Sequence, residues 1–212
     1  MSFGFDNVES EKSFMPIAPG ANVAVKLVKV EIDKDGNLDM FFKGTDVSNP
    51  GDFKPRFWVS NLTPGTKNYK EDDDKNAQRQ LKHILEGFLS AEEVGKVRGA
   101  DVKGWFVAIK EALKPEVTAD VAATMKIVYK WDSDELCVIP KYGSFLSTPL
   151  MPRKLQLRDK VDKKGLPFDR VEPMAVYGVV PDEGAPEAAT ADAFAAPEGD
   201  AFAEAGEEAA PF

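Results

Sequence analysis

The sequence predicts a mainly β fold: a small, partly open barrel of five strands with one helix inserted before the fourth, then a basic extension and an acidic tail. Three observations predict it. Apolar residues alternate at period two in five runs bounded by turn-forming Gly, Pro, Asn and Asp. One stretch, 76–89, switches to helical spacing. Charge is partitioned: nine of the 36 acids lie in Asp182–Phe212 and none of the 27 bases does, so the preceding 181 residues carry 27 of each. Hydrophobic residues make up 43% of the 212, enough for one core plus appendages.

Residues 1–20 end in Met15-Pro16-Ile17-Ala18-Pro19-Gly20 and read as an extended arm. The barrel is expected over 21–140. In the first strand Val23, Val25 and Leu27 alternate, then Val28, Val30 and Ile32 alternate on the other parity, which predicts a bulge. Asp33-Lys34-Asp35-Gly36-Asn37 is a hairpin turn with Gly36 at positive φ. Leu38–Thr45 returns with Phe41 and Lys43 on the face opposite Met40 and Phe42, and Phe53–Ser60 is the third strand. A polar loop over 62–76 leads to the helix, where Ala77, Leu81, Ile84, Leu85 and Phe88 share a face. Ser90 and Glu93 form a capping box for a short helix. Lys103–Ala112, with Trp105, Val107 and Ile109 alternating and Pro115 as breaker, is expected to be strand four. Ala123–Trp131 is strand five, with Tyr129 and Trp131 on its core face and Leu136–Ile139 as hairpin partner. The order β-β-β-α-β-β is that of an OB-fold barrel, which binds oligonucleotides across strands two and three and their flanking loops.

Residues 141–180 differ in kind. From Lys141 to Arg170 eight bases face three acids, with three prolines and little periodicity, so the segment reads as a basic extension packed on the barrel. Residues 181–212 are Ala, Glu, Asp, Pro and Gly with sparse Phe, a composition too poor in apolar side chains to order itself. Cys137 lies in an apolar run and reads as a buried free thiol. The first residues show no signal peptide and no segment is apolar enough to span a bilayer, so a soluble, cytoplasmic protein is expected.

Binding a single strand requires cations for phosphates and flat rings for bases on one surface. The third strand puts Lys54, Arg56 and Trp58 on one face, opposite apolar Phe53, Phe57 and Val59. Phe41 and Lys43 on the second strand, Lys126 and Lys130 on the fifth, Lys67 and Tyr69 in the loop, and Tyr142, Arg153 and Lys154 in the extension complete the candidate site for single-stranded DNA. An ordinary solvated strand explains Lys54-x-Arg56-x-Trp58 alone about as well; the repetition on neighbouring segments favours binding.

The tail carries the more specific pattern. Asp192-Ala193-Phe194-Ala195 recurs as Asp200-Ala201-Phe202-Ala203, and the sequence closes Glu207-Glu208-Ala209-Ala210-Pro211-Phe212. This ending resembles the acidic Pro-Phe tails of bacterial single-stranded-DNA-binding proteins, with Ala209-Ala210 in place of denser acids. The whole layout is similar to the single-stranded-DNA-binding proteins of tailed bacteriophages, though the inserted helix and basic extension differ from the bacterial pattern. The resemblance implies protection of single strands during replication, recombination and repair, in the host cytoplasm if phage-encoded. It also implies recruitment of polymerase, helicase, primase or nuclease partners through Glu207, Glu208, Pro211 and Phe212. No cofactor or metal is expected.

Two rival classes fit less well. A metal-dependent nuclease would draw on Asp72, Asp73 and Asp74, but His83 is the only histidine, and neither a phosphate loop nor a dinucleotide fingerprint occurs. A DNA mimic or virion protein would carry its acids on the folded body rather than in the tail.

Overall fold

The computed structural model describes residues 15–163 and 165–178, and of residues 116–118 and 142 the backbone only. The chain runs β1 (Gly20–Ile32), β2 (Leu38–Gly44), β3 (Asp52–Phe53), β4 (Arg56–Phe57), α1 (Val59–Leu62), α2 (Glu71–Phe88), α3 (Ala91–Lys96), α4 (Val102–Ala119), β5 (Ala122–Tyr129), β6 (Leu136–Cys137) and β7 (Leu146–Ser147). Short 3-10 turns occur at Pro140–Tyr142 and Met174–Tyr177.

Among the described residues, seven strands make five strand positions. β3 and β4 both pair with β2 in one unbroken register, Phe42 opposite Phe53 and Asp39 opposite Arg56. Pro55, which has no N–H to give, interrupts the ladder between them. β6 and β7 likewise share the far edge of β5. The path β3-β2-β1-β5-β6 is antiparallel throughout and curls into a nearly closed barrel.

β1 holds the barrel together by pairing on both edges, with β5 over Gly20–Lys26 and with β2 over Val25–Ile32. The register shifts between Leu27 and Lys29, at the phase switch in the sequence, so Val23, Val25 and Leu27 point inward before the bulge and Val30 after it. The β1–β2 turn has Gly36 at φ +90, and Asp33 accepts from the amides of Asp35 and Asn37.

The helical content departs from expectation. Residues 102–119 form a helix, not a strand. Phe106, Ile109 and Leu113 are buried at helical spacing, Val102, Trp105 and Ala112 pack beside them, and Asp101 caps the start by accepting from the Gly104 amide at 2.7 Å. That stripe buries more apolar surface than the Trp105-Val107-Ile109 alternation, which would have buried Val107, half-exposed here. Pro115 lies inside this helix rather than ending it.

The helix read over 76–89 begins earlier, at Glu71, because Glu71–Asp74 form its first turn, where acids suit the positive end of the helix dipole. The expected 62–76 loop is therefore shorter and is preceded by α1. The Ser90–Glu93 capping box of α3 is present. α4 packs on β1, and α2 packs on α4 and β7, so one continuous core joins sheet and helices.

The arm contributes as well. Ile17 is buried and its amide donates to Asp52. At Gly51 a side chain would collide with the Ile17 backbone.

Candidate nucleic-acid interface

The outer face of the sheet is set by β2, whose odd residues Asp39, Phe41 and Lys43 point away from Met40 and Phe42 in the core. Across the ladders, Phe41 faces Lys29, Lys43 lies between Lys26 and Asp52, and Asp39 faces Arg56. Lys29 reaches this face because the bulge at Val28 inverts the parity of β1.

These side chains form a connected strip. The Lys54 and Lys29 ammonium groups sit over the Phe41 ring, 4.8 and 5.6 Å from its centroid. Lys54 also pairs with Asp39 at 3.0 Å. Arg56 donates from Nε and Nη2 to the two Asp39 oxygens at 2.6 Å each, a bidentate pair that fixes the guanidinium plane. The Arg56 guanidinium carbon then lies 4.9 Å from the centre of the Trp58 ring, which is 45% exposed at the start of α1. Burial alone would raise the Asp39 carboxyl, but the hydrogen bonds from Arg56 and Lys54 outweigh it and hold the group below its ordinary value, so it stays an anion. The strip runs Lys29, Phe41, Lys54, Asp39, Arg56, Trp58: cations and rings along one face, with buried Asp39 positioning Lys54 and Arg56, Glu31 paired with Lys29 at 2.5 Å, and Asp33 3.7 Å from Arg56.

The residues expected at the site do not all share this face. Phe41, Lys43, Lys54, Arg56 and Trp58 share this outer face. Lys67, Arg153 and Lys154 are exposed, on the loop before α2 and just after β7. Tyr69 donates its hydroxyl to Asp74 at 3.0 Å and so braces the first turn of α2. Tyr142 closes the first 3-10 turn, and only its backbone is described.

Lys126 requires correction: it is 1% exposed, and its ammonium donates to the equally buried Asp169 at 2.8 Å. The outer face of β5 is roofed there by the segment that carries Leu155, Asp169 and Arg170, so an even-parity lysine points into a covered layer. Lys130, four residues on, is ion-paired with Glu135. Glu207, Glu208, Pro211 and Phe212 lie outside the described residues.

Trp131 is a second correction. Read as core, it is 39% exposed and stacks on Phe168, with ring centroids 5.8 Å apart and planes 27° apart. Arg158 lies 5.2 Å from the Phe168 centroid, itself held by Asp169. The clue in the sequence is that Trp131 is followed at once by Asp132-Ser133-Asp134, a turn that ends the strand before position 131.

No family model, characterised protein or solved structure matches the chain. The acids that a metal-dependent nuclease would draw on, Asp72–Asp74, occupy the first turn of α2, and no cluster of three or more His, Cys, Asp or Glu that could hold a metal occurs among the described residues. His83 packs its ring 5.4 Å from that of Phe145, and burial lowers its pKa, so it is a neutral packing residue near pH 7. Burial pushes the Cys137 thiol up to about 12, far from a reactive thiolate.

Proposed function

We propose that the protein binds single-stranded DNA with little sequence preference across the outer face of β1, β2 and β3–β4, and thereby protects it during replication, recombination and repair. The observation that carries this reading is the strip from Lys29 to Trp58. Lys29, Lys54 and Arg56 supply phosphate partners, and Phe41 and Trp58 supply flat surfaces for bases. Lysine stems rotate easily, so Lys29 and Lys54 can exchange the Phe41 face for a phosphate when a base arrives. The bulged first strand that serves two ladders, with helices before the last strands, supports reading the barrel as OB-type. The 182–212 segment then acts as a tethered anion and, through its Phe residues and Pro211-Phe212, as a docking peptide for replication or recombination proteins.

Gel-shift titration of the full chain with a single strand, its duplex and an RNA of the same sequence tests the reading. Tighter binding to the single strand than to duplex at matched salt is expected, because stacking needs unpaired bases. Equal affinity for duplex would overturn it.

A further inference from the structure

The turn between β5 and β6 holds a second aromatic surface, apart from the strip on β2. Trp131 lies at its start with its indole against Phe168. Phe168 in turn closes a small hairpin-like turn: its amide donates to the Lys160 carbonyl, Val161 bridges Pro167, and the Leu166 amide donates to Asp162. Lys160 and Lys163 are exposed on this turn, and Arg158 packs over Phe168 at its base.

What distinguishes Trp131 from a stray surface ring is how firmly its turn is held. Arg170, buried beneath it, donates to the carbonyls of Lys130 and Ser133 at 2.9 and 2.7 Å and to the Asp134 carboxylate at 2.7 Å. Lys130 also donates its amide to Glu135 across the turn. A large ring left open to solvent costs hydrophobic free energy, and one already fixed in place loses little entropy when a flat partner stacks on it.

We infer that Trp131, backed by Phe168 and flanked by Arg158, Lys160 and Lys163, is a second base-stacking platform, so that one single strand engages the protein at two separated points. This rests on the single-strand reading proposed above. The strip on β2 suffices for a short oligonucleotide; Trp131 adds affinity only when the strand is long enough to reach it.

The test uses oligothymidylates between about 4 and about 16 nucleotides. Trp131→Ala in the full chain is expected to bind the shortest oligomers like wild type and the longest between about five-fold and about a hundred-fold more weakly, with Trp131→Phe recovering most of the loss. In a Trp58→Phe/Trp105→Phe background, where Trp131 is the sole indole, its emission should be quenched by long oligomers and untouched by short ones. Wild-type affinity of Trp131→Ala at every length, or emission that no oligomer changes, would overturn the second platform while leaving binding at Trp58 intact. Equal weakening at all lengths would also overturn it, by making Trp131 part of one continuous site. A wild-type chain that binds no single strand at all would instead remove the reading on which the platform rests.

Discussion

Asp39 looks out of place on a surface proposed to bind phosphate, yet it explains why Lys54 and Arg56 have defined positions. A buried carboxylate that accepts from Arg56 twice and from Lys54 once holds both cations beside the rings they serve. Arg56 keeps Nη1 for another acceptor, so pairing with Asp39 does not exhaust it. Trp58→Ala should therefore weaken single-strand binding by about 1–3 kcal/mol without lowering the melting temperature, since the ring is largely outside the core. Arg56→Ala should reduce the dependence of log affinity on log salt by about 0.7, read from titrations at several salt concentrations. A melting-temperature loss in Trp58→Ala with unchanged affinity would assign the indole to packing. Most of this strip was legible in the sequence, because alternation around Phe53 and Phe57 fixes where Lys54, Arg56 and Trp58 point. Lys29 was legible in principle: the parity switch at Val28 turns it outward, a step that follows from the bulge but is easily missed.

Periodicity decided the elements well where one face is buried and poorly where both are. β1, with its parity switch at Val28, and β2 lie where the pattern puts them. In 102–119 a few apolar residues match period two and 3.6 at once, and only the deeper burial of Phe106, Ile109 and Leu113 separates the readings. β5 misled in another way. Its even face mixes Thr124 and Lys126 with apolar Val128 and is covered in the structure, because the segment up to Arg170 lies on it and supplies Asp169 to neutralise Lys126. Local pattern cannot announce a partner 43 residues away.

This buried pair makes its own prediction. Asp169→Asn leaves the buried Lys126 ammonium without its anion and should destabilise the fold by about 3–5 kcal/mol in denaturant titrations, whereas Lys126→Met leaves Asp169 its Arg158 partner and should cost less. Lys126→Met should leave the affinity of the folded fraction for single strands unchanged. Burial raises the Asp169 carboxyl, but hydrogen bonds from Arg158 and Lys126 outweigh it, so its folded pKa lies below the ordinary 3.8. The unfolded chain thus takes up this proton first as pH falls. The contribution is complete above pH 3.8 and is lost as pH drops below it through the folded value, which acid unfolding of wild type and Asp169→Asn would compare.

Across the molecule, charge is divided by segment rather than by face: a neutral 1–181 and nine acids in 182–212. A tethered anion competes with phosphate for the cations of the body. Removing 182–212 should raise single-strand affinity, most at low salt where screening is weakest, and deleting Phe212 alone should leave it unchanged while reducing capture of replication proteins. Weaker DNA binding after the 182–212 deletion would overturn the competition. The sequence made this division plain, since composition needs no fold to be read. The two aromatic surfaces were not equally plain, because Trp131 takes its place from Phe168 and Arg170, far along the chain. The Lys126–Asp169 pair also sets an order of events during synthesis. β1 and β2 emerge from the ribosome first and can pair at once, but β5 has a lysine to bury and no anion to bury it with until about forty more residues have been added. Until then the cover over this face of β5 cannot be completed, because Asp169 and Arg170, which form it, have not yet been made.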